Sequence, residues 1–296
     1  MPSTFFTEPP HWRWLIVLYF FLGGIAGGCY FVAALIDLFG RPSDRPLARL
    51  GYRIALPAVA VCGILLIVDL GRPERFWHML LQSETWHPMF KSYSPMSFGA
   101  WGLLAFGLFS LLSFVATFAG DDHRRRPASR LRPPALLGMI VAFLGGLSGF
   151  FLASYTGVLL SVTNRPIWSD TSLLGLVFLV SSASTSIALL LLFGSGRVFL
   201  IGGLRALQRF DIAVLVLELL CVVALIASLG SLARVWLNQW GLLLALGVIG
   251  LGIVVPLMLH LRAHGPTTGA AKVAAALVLV GGFLLRVVIV LSSESI

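Results

Sequence analysis

Eight long apolar runs leave this chain few folds that it can adopt. Each run approaches the roughly 20 residues that a helix needs to cross the hydrocarbon core of a bilayer. Only 11% of the residues are charged, whereas in a soluble globular domain about one-quarter are. The runs lie at about residues 14–39, 54–70, 97–119, 135–162, 172–193, 212–233, 240–261 and 273–291. The sequence therefore predicts an all-α polytopic membrane protein with eight transmembrane helices.

The positive charges between the runs predict the orientation, because Lys and Arg are enriched in cytoplasmic connections. One set of alternate connections holds fourteen: Arg41, Arg45, Arg49, Arg53, Arg124, Arg125, Arg126, Arg130, Arg132, Arg197, Arg205, Arg209, Arg262 and Lys272. The other set holds six: Arg13, Arg72, Arg75, Lys91, Arg165 and Arg234. We therefore expect both termini outside, in the inner membrane of a bacterium. The net charge of +9 is divided among these short clusters, so a nucleic-acid partner is not expected.

The second run ends abruptly in a charged segment. Residues 54–68 carry no charge, so Asp69 is expected at the hydrocarbon boundary, where an ionised carboxylate is costly unless paired or hydrated. One interpretation is a simple helix end, with Gly71 as the cap, Pro73 as the stop and Arg72 or Arg75 as the ionic partner. The other is a functional carboxylate.

The outer connection that follows, residues 71–95, is long and rich in aromatic residues. Such a connection is typical either of an interfacial belt or of a docking surface for a partner. The sequence leaves both interpretations open.

Several polar groups are predicted at one depth near the outer face. Tyr155 lies about 10 Å inside that face in a straight fourth helix, since an α-helix rises ~1.5 Å per residue. Tyr19 and the turn at residues 94–97 come from the same face. Four helices joined by short loops normally form one bundle, so these groups and Asp69 are expected to line one outward-facing cleft. For Tyr155 alone, an interfacial anchor is the alternative.

The second half of the chain has its own intramembrane charges, Glu218 and Arg286. Ionisable groups at this depth are often functional, for example as a proton relay. Their depths differ by roughly 10 Å in upright helices, so a direct ion pair is not expected. The alternatives are a packed polar bridge or, for Arg286, snorkelling to the outer face. The hydroxyls of residues 181–186 are expected to bond backbone carbonyls and join helices.

These segments together resemble the NrfD / polysulfide reductase membrane-subunit (PsrC-like) family. The matching segments are Trp12-Arg13-Trp14, Tyr19-Phe20-Phe21-Leu22-Gly23-Gly24-Ile25-Ala26-Gly27-Gly28, Asp69-Leu70-Gly71-Arg72-Pro73-Glu74-Arg75-Phe76, Ser94-Pro95-Met96-Ser97-Phe98-Gly99-Ala100-Trp101, Tyr155-Thr156-Gly157-Val158-Leu159-Leu160 and Gly281-Gly282-Phe283-Leu284-Leu285-Arg286. The likeness covers nearly the whole chain. It implies two four-helix bundles, residues 1–165 and 166–296, with a quinone site in the first.

The resemblance also implies a respiratory role. Members of this family exchange electrons between a quinone, such as menaquinone, and an outer subunit with four [4Fe–4S] clusters, which serves a molybdopterin-type catalytic subunit. Tyr155 matches a tyrosine that contacts the quinone, and Asp69 matches an aspartate implicated in proton movement. Gly71 and Arg72, in the same segment as Asp69, are further candidates for cofactor binding.

One departure from the family lies near the start of the first helix. An Asn and a His that assist the quinone in polysulfide reductase are replaced here by Ile16 and Tyr19. Tyr19 is therefore the candidate substitute for those contacts.

The residues themselves agree with quinone chemistry, which needs a hydrogen-bond donor, an ionisable group joined to water and an apolar slot. Tyr155 can be the donor, Asp69 the proton relay and the glycine-rich stretch at residues 23–28 the slot, although small residues also serve helix packing. The three cysteines lack Cys-x-x-Cys spacing and only His260 lies near a span interior. We therefore expect no metal, haem or iron–sulfur cluster in this chain.

A transporter is the alternative function. A proton-coupled transporter for a small solute would use Asp69, Glu218 and Arg286 as its pathway. It should show two related halves with broken helices near the midplane.

Overall fold

The computed structural model describes residues 12, 14–118, 130–197, 200–262 and 265–294, and these are largely helical. Eight of its helices are long and apolar enough to cross a membrane, as the sequence predicts. We number them α1 (Trp14–Phe39), α2 (Arg45–Asp69), α3 (Pro95–Ala116), α4 (Leu136–Ser161), α5 (Leu174–Gly194), α6 (Ile201–Leu229), α7 (Gln239–Arg262) and α8 (Gly269–Glu294). The protein is thus a multi-pass membrane protein.

Two helices, α2 and α6, begin well before the apolar run that predicts them. α2 starts at Arg45 and α6 at Ile201, so several arginines assigned to connections lie on helices. The helices extend beyond the apolar run because a long Arg side chain can keep its charge in water while its stem covers apolar surface. Of the charges used to predict orientation, Arg13 and the Arg124–Arg126 cluster lie outside the described residues.

Helix α1 lies at the centre of the molecule. It packs against α2 and α4, while α3 packs against α2 and α4. In the second half, α5 packs against α6 and α8, and α7 packs against α6 and α8. α5 also contacts α1 and α4, so the two halves share an interface. The division into two bundles at residue 165 stays a prediction.

The glycines of α1 form this central packing. A Cβ atom on Gly27 would collide with the carbonyl oxygen of Gly149 on α4. A Cβ atom on Gly24 would likewise collide with Ser182 of α5, and one on Gly28 would collide with Ser186. At Gly24, Gly27 and Gly28 this face therefore serves helix packing, whereas a Cβ atom on Gly23 would meet no atom closer than 3.8 Å, and the quinone slot stays a prediction.

Helix α7 is not regular along its length. Its segment Leu243–Val254 is a π-helix. There the backbone of Gly252 lies against that of Gly281 on α8, close enough that a Cβ atom on either would collide. Such segments are uncommon in helices and often mark special packing or function.

Candidate functional site

Tyr155 joins α4 to the start of α3. Its hydroxyl donates a hydrogen bond of 2.7 Å to the carbonyl oxygen of Pro95, the first residue of α3. Its ring stacks on Phe151, with centroids 5.4 Å apart. It also covers Gly99, where a Cβ atom would collide with the Tyr155 hydroxyl. The structure therefore brings Tyr155 to the turn at residues 94–97, as their common depth predicts.

Tyr19, which lies on α1, is near Tyr155. Its side chain is buried, and its hydroxyl lies within electrostatic range of the Tyr155 hydroxyl and the Cys62 thiol. Cys62 donates to the backbone carbonyl of Tyr19 at 3.8 Å, which fixes α2 against α1 here. Within the described residues the Tyr19 hydroxyl makes no hydrogen bond. One of these two tyrosine hydroxyls thus donates to the backbone, and the other makes no hydrogen bond among the described residues.

Asp69 is the last residue of α2 and is exposed. Gly71 adopts a φ of 66°, and Pro73 opens a 3₁₀-helix, Pro73–Met79. The predicted helix end and its glycine cap are therefore confirmed.

The predicted ionic partners of Asp69 are wrong. Within the part of the protein that the structure describes, neither Arg72 nor Arg75 lies within 4.0 Å of a carboxylate. Both arginines are exposed at this helix end, where water solvates each charge separately and pairing stabilises little. Asp69 also makes no hydrogen bond to Tyr19 or Tyr155.

The outer connection folds back on α3. Trp77 stacks on Trp86 with ring centroids 5.2 Å apart, and Trp101 of α3 donates to the carbonyl of Met89 at 3.0 Å. Other large side chains remain exposed, namely Phe76, Phe90 and Tyr93. The geometry fits an interfacial belt and a docking surface alike.

Arg286 of α8 is fully buried, so the alternative that it snorkels to the outer face is wrong. It donates to Ser181 at 2.6 Å and Ser182 at 3.0 Å on α5, and to the carbonyl of Gly282 at 2.7 Å. Glu218 of α6 lies within electrostatic range of this guanidinium. As predicted, the two charges form no ion pair within 4.0 Å among the described residues.

The sequence interpretation missed one buried pair. Asp211 of α6 and His260 of α7 have fully buried side chains, and their Oδ2 and Nε2 atoms are 3.1 Å apart. Gln208 lies 3.3 Å from the other ring nitrogen of His260. The available signal was spacing, because Asp211 precedes Glu218 by two helical turns and so shares its face.

Two apolar cavities lie near the opposite end of α1. One, of about 300 Å³, lies between α1, the start of α2 and α6, and the other, of about 280 Å³, lies between α1 and α4. Neither is lined by Tyr19, Tyr155 or Asp69.

Comparison with known proteins supports the resemblance. The family described as "Polysulphide reductase, NrfD" matches residues 2–296. The C component of the polysulfide reductase of Wolinella succinogenes is 28% identical over 306 aligned positions, covering 96% of this sequence and 94% of that protein. Protein NrfD of Escherichia coli is 26% identical, over 87% of this sequence and 86% of that protein. The C component of the selenate reductase of Mesobacillus selenatarsenatis is 25% identical over 28% of this sequence and 20% of its own.

Proposed function

This protein belongs to the polysulphide reductase NrfD family, and we propose that it is the quinone-reactive membrane subunit of a respiratory oxidoreductase complex. Several relatives carry the names of reductase subunits, which supports a place in a complex with a catalytic subunit. In this proposal the protein passes electrons between the quinone pool and an iron–sulfur partner with four [4Fe–4S] clusters. The partner docks on the outer face and serves a molybdopterin catalytic subunit.

The Tyr19 hydroxyl, which makes no hydrogen bond among the described residues and lies within electrostatic range of Tyr155, is the observation that carries the proposal. A tyrosine hydroxyl that makes no hydrogen bond within the protein keeps its donor available, so a ligand carbonyl that accepts this hydrogen bond is a natural complement. Tyr155, whose donor is committed to Pro95, contributes an oxygen that can accept a hydrogen bond from a quinol. The two groups thus suit both redox forms of a quinone.

A bound quinone, such as menaquinone, would supply the two-electron, two-proton couple. The residues around it would hold the head group and move protons. Asp69 suits the second task because its carboxylate is exposed to water at the end of α2. Gly71 and Arg72 lie beside it, where Arg72 offers a cation toward the ligand. Glu218 and Arg286 extend the proposed proton pathway into the second half.

We expect Tyr19→Phe to weaken quinone binding and Tyr155→Phe to lower quinone-linked turnover while the complex still assembles. Each change removes one hydroxyl and keeps the ring, so packing is preserved. A neutral hydrogen bond is worth about 0.5–1.5 kcal/mol, which corresponds to roughly 2–13-fold in affinity. Quinone titration of purified protein measures this. The matched control is Tyr93→Phe, because Tyr93 is an exposed tyrosine. Unchanged affinity and turnover in both test variants would reduce the pair to packing residues.

The partner is tested by isolating the protein in mild detergent. A co-purifying subunit with iron–sulfur signals in low-temperature electron paramagnetic resonance would support the proposal. A pure, functional preparation of this protein alone that moves a solute across vesicles would support the transporter alternative.

Orientation has its own test. We expect a reporter that is active only outside the cytoplasm to work when fused after the C-terminus, because the arginine-rich connections should stay inside. The same reporter inserted after Arg197, in a connection predicted inside, should be silent. A C-terminal reporter that is active only in the cytoplasm would show that the predicted orientation is wrong.

A further inference from the structure

We propose that Asp211 and His260 form a proton-binding site that exchanges protons with the arginine-rich side of the membrane. Neither residue belongs to the tyrosine pair or to the pathway suggested by Asp69, Glu218 and Arg286. The ligand is a single proton. Proton binding at this site does not depend on the quinone proposal, whereas the vesicle test of proton exchange rests on it.

The first step of the argument is the geometry of the pair. The Oδ2 atom of Asp211 and the Nε2 atom of His260 are 3.1 Å apart. The N–H direction does not make this contact a hydrogen bond, so both carboxylate oxygens and Nε2 lack a hydrogen-bond partner within the described residues. Gln208 lies within hydrogen-bonding distance of Nδ1, at 3.3 Å. A carboxylate with two unpartnered oxygens is thus held beside an imidazole.

The second step is the charge of the pair. Both side chains are fully buried. An ionised carboxylate beside a neutral imidazole carries a net negative charge, which is costly in a buried site without hydrogen bonds. Addition of one proton forms an O–H bond on Asp211 and brings the net charge of the pair to zero. Burial therefore favours the form of the pair that carries the added proton. Release of that proton returns the pair to its net negative charge.

The third step is the position of the pair between water and the membrane interior. Arg209 and Arg262 lie two residues from Asp211 and His260 and are exposed, so the pair lies near the arginine-rich end of α6 and α7. Inward, Glu218 lies two turns along the same face of α6 and within electrostatic range of Asp211. The site thus lies between two exposed arginines on one side and a second buried carboxyl group on the other.

Other charged groups are carried by the surrounding helices. Arg286 of α8 interacts with Glu218, Lys272 at the start of α8 is exposed, and α5 contributes the uncharged Ser184. Asp44, before α2, lies against Gly203, two turns before Asp211 on α6. Of these, Glu218 is the carboxyl group most directly placed to exchange a proton with Asp211.

The test is infrared spectroscopy of the full-length protein in lipid nanodiscs across a pH range. A protonated carboxylic acid gives a carbonyl band that shifts in deuterated water. We expect such a band in the wild type, moved by ¹³C-labelled aspartate, absent in Asp211→Asn and displaced in His260→Gln. Asp170→Asn is the matched control, since Asp170 caps the Ile167 amide in a connection; its spectrum should keep the band.

Two results would overturn the proposal. One is a wild-type spectrum without an aspartate-specific band, which needs no variant and therefore no assumption about folding. The other is an identical band in Asp211→Asn.

Vesicles test the exchange with the arginine-rich side. Proton uptake from that side per electron should fall in Asp211→Asn while electrons still reach the partner. Uptake equal to the wild type would overturn this part of the proposal. A wild type without quinone-linked turnover would refute the proposed function and leave the infrared result standing.

Discussion

Replacing Asp69 with Asn is expected to remove most quinone-linked turnover and to leave the fold as stable as before. The carboxylate lies in the last turn of α2, where the negative end of the helix dipole disfavours an acidic side chain by about 0.3–1 kcal/mol. It has no ion-pair partner within 4.0 Å among the described residues to offset this cost. An acidic residue at the C-terminal end of a helix, with no partner to offset the unfavourable dipole, is a candidate for function.

Proton delivery gives the expected size of the effect. A positioned acid or base typically contributes about 10²–10⁴-fold to a proton-transfer step. Asn keeps the shape of Asp but cannot titrate, so electron delivery to the quinone would wait for protons. We therefore expect at least about tenfold less quinone-linked turnover. Reduction of an artificial acceptor by the catalytic subunit should not change.

The measurement is the ratio of these two activities in one preparation. Asp69→Glu keeps the titratable group and should retain turnover. Glu74→Gln removes an exposed carboxylate from the adjacent connection and should leave the ratio unchanged. If Asp69→Asn gives the wild-type ratio, the charged helix end is the better account of this residue.

The eight spans could be predicted because hydropathy over about 20 residues is a property of the local sequence. The contact between Tyr155 and the start of α3 could be predicted because both are expected at the same depth. They lie at the same end of neighbouring helices that short loops connect. Depth also predicted no direct ion pair between Glu218 and Arg286, and none forms among the described residues, although both groups reach Ser181. These inferences need only the helical rise and the order of the spans.

Other features depend on which helix faces pack against each other, and a single sequence does not specify this packing. Asp211 lies one residue before the sixth apolar run, so hydropathy alone places it outside the spans, and its partner on α7 is 49 residues away. The hydroxyl of Tyr155 is committed to Pro95, which only the packed geometry reveals. The pairing of Asp69 with Arg72 failed because closeness in sequence does not bring exposed charges together.

Gly27→Ala is expected to destabilise the whole helix assembly. The added methyl group would collide with the carbonyl oxygen of Gly149, and its next neighbour is the amide of Ala153 at 3.3 Å. Both belong to the backbone of α4, which cannot move aside as a flexible side chain can. Overpacking of this kind costs about 1–3 kcal/mol. The thermal unfolding midpoint in detergent should fall, as should the yield of monodisperse protein.

Gly107→Ala provides the matched control, since it makes the same change within a helix where a Cβ atom has no neighbour within 4 Å. There the methyl group should be neutral or slightly stabilising, because Ala has the better helix propensity by about 1 kcal/mol. The comparison also separates the two uses of a glycine face. If Gly27→Ala unfolds like Gly107→Ala but loses quinone affinity, a ligand and not α4 lies against Gly27. Loss of stability with retained affinity per folded molecule would identify Gly27 as the contact through which α1 holds α4, and so as the support of Tyr155.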